Sequence, residues 1–417
     1  MGSLSLKNWL HAETKETIFI NLIVFLLFFG ISSNINNAYV SIPMGLAWLY
    51  LLYDSIKAKS LEGFYMPREN WLGTVVFLLS VITASCLLGD PQSIHIAFKY
   101  VYWCVPLLTV WYLAKRTDFL YAAIAGIWFS IAVAAVNIEY LYQLYLKGEY
   151  IGFIPGRIGA FDAHPNLYAV LLAGSVPLAV LSLAAEKVKT NKILLGVNLI
   201  VIVLAFHSLL RTASRGAMLG CVVGLIGVLF VYYSNRYSLK KLLAGLILLM
   251  VLFAAFAKMG LPSGMSRGYD NERILFWKAS YAMWQDHKLI GVGLNNWHDK
   301  YVNKYITEEA KERMQVSPHN SFAWFFSTTG VIGGIGYLYL LFYYSSLLVH
   351  KIKRTPIQWV LYVGLWSFLA INIHGMVDMG VTNKAAARLL FLMLGLAMSR
   401  RYENEQEKYR KSEDNLI

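Results

Sequence analysis

Apolar stretches of about 20 residues recur along nearly the whole chain, and short polar segments separate them. A helix of that length crosses a hydrocarbon core of about 30 Å and satisfies its own backbone hydrogen bonds. We therefore predict an all-α, polytopic membrane protein of about twelve transmembrane helices. The predicted spans are residues 17–33, 38–55, 71–89, 97–113, 118–138, 164–184, 192–209, 213–234, 241–257, 321–348, 357–376 and 383–399.

The longest polar segment divides the predicted spans unequally. Residues 1–257 hold the first nine spans, residues 258–320 form a large loop, residues 321–399 hold the last three spans, and residues 400–417 form a charged tail. A transporter built from two similar halves would carry its long loop near the centre of the chain, on the cytoplasmic side. The position of this loop therefore disfavours a transporter.

Positive charge between the predicted spans orients them. If the N-terminus is cytoplasmic, every cytoplasmic segment contains lysine or arginine, whereas the short outer turns at 34–37 and 90–96 contain neither. We therefore predict that both termini are cytoplasmic and that the large loop is extracytoplasmic. The net charge of +13 then reflects topology and does not indicate a nucleic-acid partner. A hydrophobic fraction of 57% also argues against a soluble domain.

Neither a metal nor a cofactor is indicated. The three cysteines, Cys86, Cys104 and Cys221, lie inside apolar stretches without metal-ligand spacing. The histidines and carboxylates of the predicted outer segments form no close-spaced cluster. No glycine-rich nucleotide-phosphate loop is present in the sequence.

Two arginines at the outer end of the eighth predicted span are candidates for phosphate binding. Arg211 and Arg215 stand four residues apart, so a helix would place them on one face. Guanidinium groups match phosphate oxygens in a bidentate fork, which suits a diphosphate. The alternative is that both side chains simply reach the lipid headgroups.

Two further segments on the predicted outer face could carry chemistry. His319 follows a proline at the entrance of the tenth span, next to Asn320, and a histidine can take a proton from a hydroxyl near neutral pH. Arg157 lies between two glycines shortly before His164, so a ligand could approach the backbone closely. The alternatives are a surface histidine and an ordinary glycine-rich turn.

Two more patterns on this face have structural or functional interpretations. His374 and Asp378, four residues apart, form either a proton-handling pair or, with greater weight, a structural hydrogen bond between helices. Residues 271–279 have aromatic and basic side chains in the pattern of a short amphipathic helix. Such a helix could lie in the headgroup layer.

Four short patches together resemble the O-antigen ligase family, which shares its domain signature with O-antigen polymerases. They are Arg157-Ile158-Gly159 with His164-Pro165-Asn166; Thr212-Ala213-Ser214-Arg215-Gly216; Arg273 with Trp277 and the run Gly291-Val292-Gly293-Leu294-Asn295-Asn296; and His319-Asn320-Ser321 followed by Gly330-Val331-Ile332-Gly333. Each patch is short, but their order, spacing and shared outer location make the set fairly specific.

The resemblance implies a membrane glycosyltransferase fold of the GT-C-like type. It also implies transfer of a glycan from an undecaprenyl-diphosphate carrier to a hydroxyl of the lipid A core, at the periplasmic face of the inner membrane. The reaction would proceed with inversion and without a metal ion or cofactor. Its catalytic arginines fall on Arg215 and Arg273, and its histidine base falls on His319.

The remaining candidates for substrate binding are Arg157, Arg211, His164 and Asn320. Expected partners are the lipid-linked donor, the lipid A core acceptor and membrane lipids. A polymerase that extends the glycan on its carrier uses the same donor chemistry, so the motifs do not separate it from a ligase. A transporter of lipid-linked sugars would instead place charged residues along a path through the middle of the membrane.

Overall fold

Backbone groups in an apolar environment must be hydrogen-bonded within the protein, so the long apolar stretches form helices. The computed structural model describes residues 15–234, 268–355 and 358–399, and contains no β-strand within them. The all-α prediction is thus confirmed for these residues. The long helices are α1 (Lys15–Ser33), α2 (Ala38–Ala58), α3 (Arg68–Leu88), α4 (Pro91–Ala114), α5 (Leu120–Leu146), α6 (Pro165–Leu181), α7 (Lys192–Thr212), α8 (Arg215–Ser234), α9 (Gly268–Asp286), α10 (Ser321–Arg354), α11 (Trp359–His374) and α12 (Lys384–Ala397). Shorter helical segments lie at Glu62–Phe64, Ala160–Asp162, Ser182–Ala184, Glu186–Thr190, Trp297–Lys300 and Tyr301–Tyr305.

Among the described residues, 8 helices are long and apolar enough to cross a membrane. They are α1, α3, α4, α5, α6 with the turn that follows it, α7, α8 and α10. The predicted spans at 38–55, 357–376 and 383–399 form α2, α11 and α12, which are not in this group, and the predicted span at 241–257 lies outside the described residues. A multi-pass membrane protein is therefore supported, while a number of about twelve spans stays a prediction.

Helices α11 and α12 form the centre of the bundle. Every residue of α12 after Lys384 is buried, and almost every residue of α11 is buried too. Helix α11 packs against α8 and α6, and α12 packs against α4. These two helices of 16 and 14 residues extend only about 24 and 21 Å, so they are shorter than a typical span. Their apolar surface is covered by other helices, which is typical of a helix that is hydrophobic on all sides.

Polar caps fix where several helices begin at the end that the predicted topology places outside, which we call the outer end. His164 precedes α6 and its Nδ1 accepts a hydrogen bond from the backbone of Asn166 at 3.3 Å. The Asn320 Oδ1 accepts from the backbone of Ala323 at 2.9 Å and caps α10. Since a cap satisfies backbone N–H groups that a helix leaves unpaired, these residues set the positions of the loops between helices.

Helix α10 is interrupted at Gly330, whose φ of 61° is in the left-handed region. The connection after α9 is inserted at this break. The N–H groups of Val292 and Gly293 donate to the carbonyls of Ser327 and Thr328 at 2.8 and 2.9 Å. In return, the N–H of Val331 donates to the carbonyl of Lys288 at 2.8 Å. The backbone groups freed by the break are therefore paired by this connection.

The segment that precedes α10 has an aromatic core of its own. The helix predicted over 271–279 extends over the whole of α9, and its Phe276 and Met283 are 2% and 0% exposed. They pack with Trp297 and Tyr301 of the same segment, and Trp324 of α10 packs against this cluster. This apolar face packs against other residues of the protein. It therefore does not face the headgroup layer, where the sequence-based interpretation placed residues 271–279.

Candidate active site

The outer ends of α6, α8, α10 and α11 meet the first half of α9 around a cavity of about 290 Å³. This volume is near the lower limit of ordinary ligand pockets. Three arginines and three histidines line the cavity together with carboxylates: Arg157, Arg215, Arg273, His164, His319, His374, Asp378, Glu272 and Glu312. Charged groups of both signs are thus concentrated in one cavity.

Asp378 is the centre of the hydrogen-bond network in this cavity. Its Oδ1 accepts from the Nδ1 of His319 at 3.0 Å, and its Oδ2 accepts from the guanidinium of Arg273 at 3.1 Å. The Asn166 amide also donates to Oδ2, and the backbone of Met379 donates to Oδ1 at 2.8 Å. One carboxylate therefore joins side chains from α6, α9 and the start of α10.

The Asp378 carboxylate is ionised at neutral pH. Burial of this group by itself raises its pKa. The hydrogen bond from His319 and the neighbouring charge of Arg273 outweigh burial and hold the pKa of Asp378 below its ordinary value. Because an ionised carboxylate accepts hydrogen bonds and does not donate them, the Nδ1 of His319 carries the proton. In the neutral form of His319, the Nε2 then has the lone pair that a base needs.

The His319 backbone is held in an unusual conformation. Its φ of 50° is in the left-handed region, which residues other than glycine rarely occupy. The indole Nε1 of Trp277 donates to the carbonyl of Pro318 at 3.0 Å, immediately before His319. On the other side, the N–H of Ser321 donates to the carbonyl of Gly375 at 2.7 Å. These contacts from α9 and the end of α11 fix the chain around the histidine.

Asn166 lies between Arg157 and Asp378. Its Nε donates to the carbonyl of Thr212 at 2.9 Å, and its terminal nitrogen donates to the Asn166 side chain. Asn166 thus joins Arg157 to Asp378. Burial lowers the pKa of the neighbouring His164 below its ordinary value, which keeps that imidazole neutral at neutral pH.

Arg215 is the first residue of α8, and its exposed side chain lines the cavity. The turn from α7 to α8 passes through Ala213, whose φ is 47°. The N-terminus of a helix attracts anions, because its first N–H groups are unpaired and the helix dipole is positive there. Arg215 therefore adds a full positive charge where the backbone already favours a negative ligand.

His374 is a further cavity residue, with a side chain that is almost completely buried. Neither of its ring nitrogens has a hydrogen-bond partner within the described part of the chain. The pairing of His374 with Asp378 considered from the sequence is not a bond between side chains: the backbone N–H of Asp378 donates to the His374 carbonyl at 2.9 Å. A ligand in the cavity would give this imidazole a partner.

Two residues predicted to bind substrate lie outside the lining of this cavity. Arg211 donates to the carboxylate of Glu139 at 3.1 Å, and its guanidinium stacks 3.6 Å from the centre of the Tyr142 ring. The Asn320 side chain caps α10 and donates to the carbonyl of Met376 at 2.7 Å. The other five predicted residues, Arg157, His164, Arg215, Arg273 and His319, are brought together around the cavity.

The sequence did not identify Asp378 and Asn166 as the link between these residues. Asn166 was visible beside His164, and Asp378 was visible as an acid following an apolar stretch. Their partners lie far away along the chain, so spacing gave no signal. Over residues 15–234, 268–355 and 358–399 there is also no group of three or more His, Cys, Asp or Glu side chains arranged to hold a metal ion.

The arrangement supplies two chemical functions side by side. Asp378 holds His319 in the tautomer of a base, and Arg157, Arg215 and Arg273 give a concentration of positive charge for a phosphate-containing ligand. Such a pair of functions suits the transfer of a group from a phosphate leaving group to a hydroxyl.

Comparison with known proteins confirms the resemblance inferred from the motifs. Residues 200–338 match the family model described as O-antigen ligase, which is about a third of the chain. The match includes Arg215, Arg273 and His319, whereas Arg157 and Asp378 lie outside it. No curated protein gives a significant match to the chain.

Proposed function

We propose that this chain, whose residues 200–338 match the O-antigen ligase family, is a membrane glycosyltransferase that moves a glycan from an undecaprenyl-diphosphate carrier to a hydroxyl of the lipid A core. The reaction takes place at the periplasmic face of the inner membrane. The observation that carries the proposal is the His319–Asp378 pair at 3.0 Å beside three arginines in one cavity.

In the proposed reaction, the Nε2 of His319 takes the proton from the acceptor hydroxyl. The hydroxyl oxygen then forms a bond to the anomeric carbon of the donor sugar, on the face opposite the diphosphate. The bond between that carbon and the diphosphate oxygen breaks, and its electron pair stays on the diphosphate. The sugar therefore inverts its configuration, and the products are the glycosylated acceptor and undecaprenyl diphosphate.

Arg215 and Arg273 have the role of stabilising the leaving group. Negative charge on the diphosphate grows as the glycosidic bond breaks, and fixed positive groups lower the energy of that state. Hydrogen bonds to charged groups contribute about 1.5–3 kcal/mol each. In this proposal the two guanidinium groups supply the stabilisation that a metal ion gives in other transferases.

Asn166 and Asp378 hold the base and the phosphate-binding group in a fixed position relative to each other. Arg273 donates to the same carboxylate that orients His319, so the phosphate-binding group and the base share one anchor. A base and a leaving-group site that are fixed relative to each other reduce the entropy lost in reaching the transition state. We assign Asn166 and Asp378 as positioning residues for this reason.

The test is transfer in vitro with the purified chain, a carrier-linked glycan and lipid A core, with and without EDTA. We expect the glycan–core conjugate in both conditions. Conjugate formation that depends on added divalent ions would overturn the metal-independent part of the proposal. Lengthening of the carrier-linked glycan instead would identify a polymerase, and the absence of both products with active substrates would count against a transferase.

A further inference from the structure

Arg388 is a buried cation that takes no part in the candidate active site. It lies near the start of α12 and is 5% exposed. One terminal nitrogen donates to the Oδ1 of Asn37 at 3.1 Å, and the guanidinium stacks 4.9 Å from the centre of the Tyr102 ring. Within the described residues, its Nε has no hydrogen-bond partner and no carboxylate pairs with it.

Other arginines of the bundle show what is missing at Arg388. Arg116 is paired with Asp54 at 2.7 Å, Arg211 with Glu139 at 3.1 Å and Arg273 with Asp378 at 3.1 Å. A buried charge without a counterion is strongly unfavourable, and in membrane proteins such residues face a partner or the interface. The Asn37 oxygen and the Tyr102 ring stabilise the guanidinium in part, but neither carries a negative charge.

The surface beside Arg388 combines polar groups with apolar sides. Tyr102 is 38% exposed, and its hydroxyl lies 3.0 Å from the hydroxyl of Ser41, which starts the exposed face of α2. Lys99 is exposed one turn before Tyr102 on α4 and adds a second positive charge to that face. Exposed apolar side chains flank this polar patch on α2 and α4: Ile42, Leu46, Phe98 and Val101.

We propose that the phosphate of an anionic phospholipid of the outer leaflet binds at this patch, between α2 and α4. Arg388 and Lys99 supply the positive charges, and Asn37 and Ser41 supply polar contacts. The acyl chains lie along the exposed apolar side chains of the two helices. Within the described part of the chain, no carboxylate pairs with Arg388 or Lys99. The patch therefore offers no such carboxylate to the ammonium group of a zwitterionic lipid, and its charge favours an anionic lipid.

The experiment measures the melting temperature of the full chain in detergent during titration with phosphatidylglycerol, phosphatidylcholine or inorganic phosphate. We expect phosphatidylglycerol to raise the melting temperature, because a ligand that binds the folded state stabilises it. Phosphatidylcholine and inorganic phosphate should raise it little or not at all. An equal rise with phosphatidylcholine overturns the preference for an anionic lipid, and an equal rise with inorganic phosphate overturns the lipid assignment.

Two arginine variants, one at the proposed lipid site and one away from it, provide a matched comparison. Arg388→Gln should raise the phosphatidylglycerol concentration at half-saturation about tenfold, since a charge-assisted contact is lost. Arg116→Gln removes an arginine that already has a carboxylate partner, so it should lower stability in every lipid while leaving the phosphatidylglycerol response unchanged. An Arg388→Gln protein with the wild-type response would show that the inference is wrong.

If Arg388→Gln does not fold, Asn37→Ala and Lys99→Gln change exposed residues of the same patch. Both should weaken the response to phosphatidylglycerol, and unchanged responses in both variants would overturn the proposal. Glycan transfer by the Lys99→Gln variant in a mixed-lipid bilayer should stay at the wild-type level. This readout separates the lipid site from the transferase, because either can fail without the other.

Discussion

Two clusters of the same chemical composition lie at the outer end of the bundle. One consists of Asp378, His319 and Arg273, and the other consists of Glu139, His207 and Arg211. In each, a carboxylate accepts from a histidine and from an arginine at 3.0–3.3 Å. The types of side chain alone give no reason to assign chemistry to one of them and not to the other.

Burial separates the two clusters. The Asp378 side chain is 4% exposed and that of His319 is 17% exposed, whereas those of Glu139 and His207 are 38% and 42% exposed. Charges that are removed from water act on one another more strongly, and their positions are fixed by the surrounding packing. The Asp378 cluster also opens into the cavity, which the Glu139 cluster does not line. The comparison shows that enclosure, more than composition, distinguishes a candidate catalytic group from a surface ion pair.

The largest expected effect comes from the two histidines. His319→Ala removes the proposed base, so transfer should fall by about 10²–10⁴-fold. His207→Ala, the matched control in the Glu139 cluster, should change the rate by no more than about threefold, since an exposed pair contributes under about 1 kcal/mol. Rates of conjugate formation with saturating donor provide the measurement. Similar losses in both variants would remove the distinction between the clusters.

Asp378→Asn keeps the shape of the side chain but removes its charge. The acceptor that fixes the tautomer of the His319 imidazole then loses its charge, and Arg273 loses its ion pair. We expect transfer to fall by about 100-fold, within the range for general acid–base catalysis. Glu139→Gln makes the same chemical change in the exposed cluster and should leave transfer within about threefold of wild type. The amount of glycan–core conjugate, measured by its shift on a gel, gives the comparison between the two variants. An active Asp378→Asn protein would argue against the positioning role of Asp378.

The buried carboxylate also makes stability depend on pH. The pKa of Asp378 is lower in the folded chain than the value of about 3.9 expected in the unfolded chain. Its stabilising contribution is therefore fully present above about pH 4 and is lost as the pH falls through the folded pKa. The melting temperature of the wild type should drop more steeply than that of Asp378→Asn as the pH falls below about 4. Parallel pH profiles would contradict this assignment of charge.

Trp277→Phe should have an intermediate effect on activity. A smaller aromatic ring replaces the indole, and the hydrogen bond from Nε1 to the Pro318 carbonyl at 3.0 Å is lost. We expect the rate at saturating substrate to fall about fivefold, because one neutral hydrogen bond contributes about 1 kcal/mol. The KM for the donor should change less, since Trp277 holds the chain around the base and not the phosphates. A change confined to KM would contradict a positioning role.

The smallest effect is expected at Arg211. Its ion pair with Glu139 is partly exposed, so Arg211→Lys should alter the free energy of unfolding by less than about 1 kcal/mol. Transfer should stay within about threefold of wild type. Arg215→Lys, four residues later and in the cavity lining, should lose far more activity because a lysine cannot bind phosphate in a bidentate manner. Equal effects at both positions would restore Arg211 as a candidate for substrate binding.

The fold was predictable where apolar runs dictate it. The helices from α1 to α8 and α10 follow directly from hydropathy, because an apolar run in a membrane has few alternatives to a helix. The break at Gly330 was not predictable, since the connection that fills it comes from residues 288–293. Nor was the length of α9, which depends on packing against Trp297 and Tyr301.

The candidate site was predictable in its parts and not in its connections. Arg157, Arg215 and His319 stand out because polar residues next to apolar spans are conspicuous in a sequence. That Asp378 joins His319, Arg273 and Asn166 is a tertiary relationship between residues separated by 59, 105 and 212 positions. Hydrophobic periodicity reports only on neighbours along one helix, so it contains no information about such contacts.

The interruption of α10 limits where segments can be exchanged between related chains to make chimeric proteins. Residues 288–293 provide four hydrogen bonds to the broken turn around Gly330, through Val292, Gly293, Val331 and Ile332. In a chimera that replaces the segment before α10 while keeping the helix, any new segment that does not enter the break in the same register leaves those backbone groups unpaired. The boundary suited to such a graft therefore lies beyond Gly330, and the outer segment and the first turns of α10 are inherited as one unit.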